Sequence, residues 1–320
     1  MMNQEIEITG TRQVRLHAVE QAPLHPGEVR VQSLISLVST GSELGPFNNA
    51  EGDMDFPVRP GYTVIGKVVE TQAPALPLGG LVLADYPHAA FGVMKAADCI
   101  SLDADSNLET VIFARMAAVS MSSIVDTTVK PLESVLVLGL GMVGNFACQI
   151  LTHLGYNVVA VDRDPARRAF VAAHTDIATF ASVSALAAAN PAPFGLLLEC
   201  TGVDTLLLAA LPLVRKRGEV YQIGVPWRAY GDAGAHELLR AVFYGFITLK
   251  SGWEWFLPAH ADEYAWYGHA DNVRQAAAWL NAGVLSVAGQ AVFYKPADCQ
   301  AAYTALADHT ESRSVIFDWR

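Results

Sequence analysis

Three glycines, Gly139, Gly141 and Gly144, stand in "VLVLGLGMVGN" with the spacing G-x-G-x-x-G. Between a buried strand and a helix, that spacing binds the pyrophosphate of a dinucleotide. Gly139 permits the tight turn, Gly141 lets the phosphates approach the backbone, and Gly144 lets helix and strand pack closely. Leu140, Met142 and Val143 complete the loop, and the helix N-terminus supplies free N–H groups and a positive dipole end. The surrounding run, residues 131–151, is nearly apolar enough for a membrane span, which takes about 20 apolar residues. The glycines, Asn145 and Gln149 interrupt it, and His153 follows directly. The segment is expected to cradle a phosphate.

The flanking elements support this. "SVLVL" (134–138) is apolar on both faces, as a buried parallel strand is, and a helix is expected over 145–154. "NVVAV" (157–161) is a second buried strand ending at Asp162. A carboxylate there accepts hydrogen bonds from the ribose 2′-OH and repels a 2′-phosphate, so NAD is expected in preference to NADP. Arg163 and Arg167, in "RDPARR", are further cofactor candidates. With Arg168 they could bind a 2′-phosphate; alternatively Arg163 stacks beside the adenine and the others are solvated.

The rhythm continues with strands in "FGLLLECTG" (194–202), "GEVYQIGVP" (218–226) and "FITLKSG" (246–252), and a helical stretch over 203–217. The Ala-rich 183–193 reads as a surface helix and loop. In a doubly wound sheet, ligands lie outside the carboxyl ends of the strands. Cys200, Thr201, Gly202, Ile223, Gly224, Val225, Ser251 and Gly252 are therefore expected to line the cofactor. Trp253 opens an aromatic block over 253–267 and is the first candidate there for substrate contact.

The whole chain sets the limits. Its 320 residues, 52% hydrophobic and 17% charged, suit a large core in two domains. The net charge, 21 − 32 = −11 with no Lys/Arg-rich run, argues against a nucleic-acid or anionic-membrane surface. Cys99, Cys148, Cys200 and Cys299 form no CxxC pair, and "MMNQEIEITG" lacks the marks of a signal peptide, so a cytoplasmic protein with reduced thiols is expected. The expected fold is α/β: a Rossmann doubly wound parallel sheet over 117–254, with a β-rich domain from 1–116 and 255–320. Strands there are read in "EVRVQSLISLVSTG", "YTVIGKVVET" and "LVLADY".

"PGEVRVQ", "STGSE", "RPGYTVIGKVVE", "VLVLGLGMVG", the Asp162 strand end, "ECTG" and the terminal "SRSVIFDWR" together resemble the medium-chain dehydrogenase/reductase (alcohol dehydrogenase-like) superfamily over essentially the whole chain. The resemblance implies that the β-rich domain is GroES-like and catalytic. The departures are informative. Zinc-dependent members carry Cys-Gly-Ser/Thr-Asp, where this chain has Thr40-Gly41-Ser42-Glu43, and Pro-Gly-His-Glu, where it has Pro60-Gly61-Tyr62-Thr63. The third ligand region offers Arg115 and Met116, and the four-cysteine structural-zinc loop is missing. Zinc takes Cys, His, Asp or Glu in a tetrahedron, so no zinc is expected. Among zinc-free branches the chain is similar to the one containing bacteriochlorophyllide a dehydrogenase, in Ser-Thr-Gly-x-Glu, Pro-Gly-Tyr and the terminal Asp-Trp-Arg. That likeness implies secondary-alcohol/ketone chemistry with NAD and leaves the substrate open.

Hydride transfer from a carbinol requires removal of the hydroxyl proton and stabilisation of the developing alkoxide. By the resemblance, Tyr62 occupies the place of the zinc-binding histidine, Thr40 and Ser42 can form a hydroxyl relay, and His88 lies in a loop that reaches the active site of related proteins. Arg115 could hold an oxyanion or an acidic substrate group. Glu43 is expected to meet Arg313, which also touches the cofactor phosphates. Each has a plainer alternative: a space-filling ring, hydroxyls bonded within their own turn, an ordinary loop histidine, structural ion pairs. The expected activity is a zinc-independent, NAD(H)-dependent oxidoreductase interconverting a secondary alcohol and a ketone on a small to medium substrate, cyclic ones included. The alternatives are an NADPH-dependent enoyl or quinone reductase and a non-catalytic nucleotide-binding protein of the same fold. The expected partners are a small-molecule substrate and a second copy of the chain in a homodimer, with no nucleic acid and no membrane.

Overall fold

The computed structural model describes residues 2–232 and 234–320. The chain opens with a hairpin, β1 (Met2–Gly10) and β2 (Gln13–Glu20), then β3 (Glu28–Leu37) and helix α1 (Thr40–Asn48). β4 (Val64–Thr71), β5 (Leu81–Ala84), β6 (Phe91–Lys95), β7 (Ile100–Leu102) and the short α2 (Leu108–Val111) follow, then α3 (Ala114–Asp126). Next come β8 (Ser134–Leu138), α4 (Met142–His153), β9 (Asn157–Val161), α5 (Pro165–His174), β10 (Ala178–Phe180) and α6 (Val183–Ala188). β11 (Phe194–Glu199), α7 (Asp204–Ala210), β12 (Val214–Gln222), α8 (Ala235–Gly245) and β13 (Thr248–Ser251) complete this stretch. The chain ends with α9 (His269–Asn281), β14 (Ala291–Tyr294), α10 (Cys299–Ala307) and β15 (Ser314–Asp318).

Two compact units result. One comprises the residues up to Arg115 with Val273–Arg320; the other is Met116–Asn272. The second therefore extends past residue 254, the expected end of the nucleotide-binding domain. Glu254, at the start of the added segment, is buried, and within the segment the Trp255 ring lies 5.6 Å from that of His269.

The first unit is built on a seven-stranded sheet ordered β14-β15-β3-β4-β5-β7, with β6 also pairing with β3. Only β14 and β15 run parallel in it. One apolar cluster joins Ile6, Ile8, Phe47, Tyr303, Val315 and Phe317; another joins Val29, Val31, Val64, Val68 and Val82. The strand expected through 28–41 ends at Leu37, and the chain then turns into α1. Ser39 is its N-cap, without a side-chain cap bond, and Glu43 Oε1 reaches back from the first turn to accept the Ser39 N–H at 2.7 Å.

The second unit carries six parallel strands ordered β10-β9-β8-β11-β12-β13. Counted from β8, this is 3-2-1-4-5-6, with the direction of winding reversing between β8 and β11. Leu136, Leu138, Val161, Phe194, Leu197 and Val220 fill one face. The helix expected over 145–154 begins earlier, at Met142, which places Met142, Val143 and Gly144 in its first turn. Val214–Arg217, expected as helix, belong to β12, where Val214 pairs with Phe194. β10, only three residues long, escaped the sequence pattern. Among the described residues no helix is long and apolar enough to cross a membrane.

Gly144 shows how tightly strand and helix approach, because a Cβ there would lie 1.8 Å from the Gly139 carbonyl oxygen. Gly to Ala inside a helix ordinarily gains about 1 kcal/mol. Here the clash is with backbone, so Gly144→Ala should instead cost about 1–3 kcal/mol. Thermal unfolding that shows an unchanged or raised Tm would contradict this packing.

Candidate functional site

In the second unit the site begins where β8 ends. Gly139 adopts φ +86°, and its N–H donates to Val161 O at 2.8 Å, which ties the turn to β9. Gly141 is the N-cap of α4 and has no side chain to accept the first-turn N–H groups. A Cβ on Gly141 would meet nothing within 4 Å. A helix start with uncapped N–H groups and open space at its glycine fits a phosphate.

Asp162 is buried at the end of β9. Its Oδ2 accepts from Leu140 N at 2.6 Å and its Oδ1 from Asp164 N at 2.8 Å. Arg167 lies 3.8 Å from Asp162 Oδ2 and 3.6 Å from Asp164, while Arg163 is exposed. Arg168, expected to be solvated or on a phosphate, donates instead to the carbonyls of Asp162 and Arg163 at 2.6 and 3.0 Å, so it braces the turn.

Beyond the switch point, the turns after β11 and β12 meet backbone to backbone. A Cβ on Gly202 would lie 2.2 Å from Val225 O, and one on Gly224 2.1 Å from Gly202 N. On Gly139 it would strike the Thr201 methyl at 2.5 Å, and on Gly252 the Ile223 side chain at 2.4 Å. Cys200, Thr201, Ile223, Gly224, Val225, Ser251 and Gly252 therefore lie on adjoining strand ends.

Their organiser is Glu199, which was not singled out from the sequence. Its carboxylate is fully buried and accepts from Thr201 N (2.8 Å), Gly202 N (2.9 Å), Gln222 Nε2 (2.6 Å) and the Thr201 hydroxyl. Burial pushes the Glu199 carboxyl up, and these donors oppose the rise. The signal was an acid closing an otherwise apolar strand. Burial likewise pushes the Cys148 and Cys200 thiols up, so they are protonated packing groups. Trp253 is 69% exposed at the end of β13, with its N–H on Ser251 Oγ at 3.2 Å.

In the first unit, Tyr62 and two serines form a hydroxyl cluster. The Tyr62 hydroxyl donates to Ser39 Oγ at 2.6 Å and lies 3.2 Å from Ser42 Oγ; the serine oxygens are 3.3 Å apart. Ser39 was missing from the expected relay, and Thr40 is exposed instead. The cause is the helix: Ser39 takes the N-cap, and the next residue turns outward. Arg115, 1% exposed, lies with Cζ 5.0 Å from the Tyr62 ring centroid and donates from Nε to Asp85 Oδ2 at 3.1 Å. It is thus held by protein groups.

Glu43 and Arg313 do not form the expected pair. Glu43, 3% exposed, is taken up by Ser39 N, by His88 Nε2 at 3.1 Å and by the Tyr303 hydroxyl. Arg313 forks onto Glu311 at 2.9 and 2.7 Å and holds that carboxyl down at about 2. A carboxylate two residues away reaches the guanidinium more readily than a buried one. His88 is fully buried, with Nδ1 2.8 Å from Ser36 Oγ, which also accepts from Trp319 Nε1 at 2.9 Å. It is packed under Gly61, whose φ is +96° and whose Cβ would lie 2.7 Å from the His88 ring. Burial and Glu43 push the Tyr303 hydroxyl up, so it remains a donor.

Thr40, Tyr62 and Arg115 stand at the ligand positions of the motifs, and among the described residues no three His, Cys, Asp or Glu side chains could hold a metal ion.

A family model described as zinc-binding dehydrogenase matches residues 142–243. No curated protein matches the sequence. In structure the chain is similar to galactitol-1-phosphate dehydrogenase from Escherichia coli, with TM-score 0.82, 17% identity, and coverage of 98% of this chain and 99% of that one. It is also similar to acetophenone reductase from Geotrichum candidum in complex with NAD, with TM-score 0.78, 15% identity, and coverage of 99% and 97%. A Sinorhizobium meliloti protein bound to NADP gives TM-score 0.78 at 13% identity, covering 99% of each chain. These likenesses show the fold: a Rossmann sheet with a GroES-like β-rich unit.

Removing one acceptor from a buried carboxylate that organises two turns should be costly. Glu199→Gln should destabilise the chain by about 1–3 kcal/mol, because an amide NH₂ would face N–H donors. A denaturant midpoint equal to the parent's would show that the turns hold without it.

Proposed function

We propose that the chain is a zinc-independent oxidoreductase that uses NAD(H) to interconvert a secondary alcohol and a ketone. The observation that carries the reading is the glycine turn into α4: open at Gly141, uncapped by any side chain, and closed on its far side by Asp162. The matched family description and the structural neighbours, which are dehydrogenases and a reductase, support oxidoreductase chemistry.

The first-turn N–H groups of Met142, Val143 and Gly144 would take the pyrophosphate, and Asp162 the adenosine ribose. A bound nicotinamide supplies the acceptor, or the donor, of hydride. The rest falls to the first unit. Tyr62 would pass its phenolic proton to Ser39, whose own hydroxyl proton would move to Ser42 and on to solvent; the phenolate would then take the alcohol's hydroxyl proton as the C–H bond releases its electron pair as hydride. Ketone reduction is the reverse. Glu43, His88 and Tyr303 are too enclosed to meet a substrate; they hold α1, and with it Ser39 and Ser42, against Tyr62.

Arg167, half-exposed beside Asp162, is the one feature that favours the second reading, an NADPH-dependent enoyl or quinone reductase. Fluorescence titration separates the two. NADH should bind more tightly than NADPH, and Asp162→Ser should narrow or reverse the gap; tighter NADPH binding by the parent would overturn the first reading.

Tyr62→Phe removes the hydroxyl and keeps the ring against Arg115. With a panel of secondary alcohols and ketones, kcat should fall at least about 100-fold, the lower end of general acid–base contributions, with cofactor affinity nearly unchanged. Turnover in the parent should survive chelators. Full kcat in Tyr62→Phe, or activity lost with a stoichiometric zinc, refutes this chemistry.

The proposal includes a homodimer. Leu239, Phe243, Tyr244 and Phe246 project from α8 and its end into solvent, and β13 closes one side of its sheet. Exposed apolar faces beside a sheet edge mark association surfaces. Light scattering should return twice the chain mass, falling to one chain in Phe243→Asp; a monomeric parent would dispose of the idea.

A further inference from the structure

Arg115 is the largest side chain among those that the fold buries fully. A guanidinium keeps its charge at any pH the fold survives, and a buried charge must be paired. Two of its partners bear on Tyr62. Asp85 Oδ2 accepts from Nε at 3.1 Å, and the Tyr62 ring lies under Cζ at 5.0 Å. Asp85 is 40% exposed, so its charge is partly screened by water, whereas the guanidinium it holds is 1% exposed. The ring bearing the hydroxyl of the Tyr62–Ser39–Ser42 cluster therefore rests on a permanent cation.

The geometry points to Arg115 as a positioning residue of the proposed reaction. Clamped by Asp85, it fixes the plane of the Tyr62 ring, so that the phenol oxygen stays in line with Ser39 and Ser42, and it favours the negative charge that Tyr62 carries after giving up its proton. This inference rests on the reading of Tyr62 as the acid–base group.

The physics is a stacked cation in a desolvated place. Contact with an aromatic face is strongest when water is excluded. An opposite charge within about 4–6 Å favours an ionised form by roughly 1–3 pK units. Asp85 subtracts from that effect, which places the expectation near the lower figure. Two further titratable groups lie close in this unit: His88, packed under Gly61, and Glu43, bonded to His88 at 3.1 Å. Both are engaged in the network that runs from Ser36 to Tyr303, and the variants below leave both unchanged.

The test follows Tyr62 alone. Tyrosine labelled at the hydroxyl-bearing ring carbon is incorporated into the full chain, and the Tyr62 resonance is assigned by its loss in Tyr62→Phe. In Arg115→Met the alkaline titration of Tyr62 should move up by about one pH unit, and Arg115→Lys should restore part of the difference. Asp85→Asn, at a partly exposed position, should move it the other way, because the cation loses its counter-charge. A midpoint unmoved in Arg115→Met overturns the inference. Should that variant fail to fold, a midpoint unmoved or raised in Asp85→Asn does the same. No substrate enters the titration. An unmoved midpoint beside a large kcat loss in Tyr62→Phe therefore strikes Arg115 alone, and a moved midpoint beside full kcat strikes the proposed function alone.

Discussion

One buried carboxylate organises the carboxyl end of the parallel sheet. Glu199 closes β11, and its side chain gathers the N–H groups of Thr201 and Gly202 and the amide of Gln222 at the end of β12. Its own carbonyl accepts from Ile223 N and Gly224 N, each at 2.8 Å. The turns after β11 and β12 thereby approach closely enough that only glycine fits at positions 202 and 224. Thr201, held in this way, sits against Gly139, so the shape of the phosphate turn depends on an acid three strands later in the chain. A buried ionised group is costly unless its lone pairs are filled. Here filling them is what orders the loops.

The β-rich unit uses the same device at Glu43. This carboxylate accepts from a helix cap, an imidazole and a phenol, which arrive from α1, from the loop after β5 and from α10. Three chain segments far apart in sequence are thus joined at one point, and α1 is fixed in rotation. That rotation decides which hydroxyls meet Tyr62. Ser39 and Ser42 do, and Thr40, although it stands at the cysteine position of the motif, turns to solvent. Motif position and spatial role part company because the motif lies on a helix, where adjacent residues point about 100° apart.

Much of the second unit was legible because parallel strands buried on both faces are continuous apolar runs. β8 and β9 occupy the residues read for them, and the glycine spacing located the turn between them. Boundaries failed where backbone context decides. α4 starts three residues early because Gly141 can serve as an N-cap. Val214–Arg217 joined β12 because pairing with Phe194 outweighs the helical composition around them. The first unit was harder. The N-terminal hairpin and α1 escaped, since a nine-residue helix containing two glycines and Pro46 has little propensity of its own and exists through tertiary bonds to Glu43 and Phe47. Ion pairs were the least legible. Glu43–Arg313 is plausible by motif, but nothing in a sequence shows that Tyr303 fills the acid or that Glu311 captures the arginine.

Cofactor choice illustrates how a single residue depends on its turn. Asp162 would read a ribose only if its carboxylate stays where it is. Two backbone donors, Leu140 N and Asp164 N, hold one oxygen each. Arg168 braces the same turn through two carbonyls, and Asp164 caps α5 by accepting from Ala166 N at 2.8 Å. A carboxylate oxygen has two acceptor sites, so one on each remains for a 2′-OH. A 2′-phosphate would instead meet a negative charge that cannot swing aside. Arg167, at 3.8 Å and half-exposed, offsets that charge only in part, because a surface guanidinium is screened by water. Discrimination would therefore belong to the braced turn over 162–168 as a unit, with Asp162 as the part that faces the sugar.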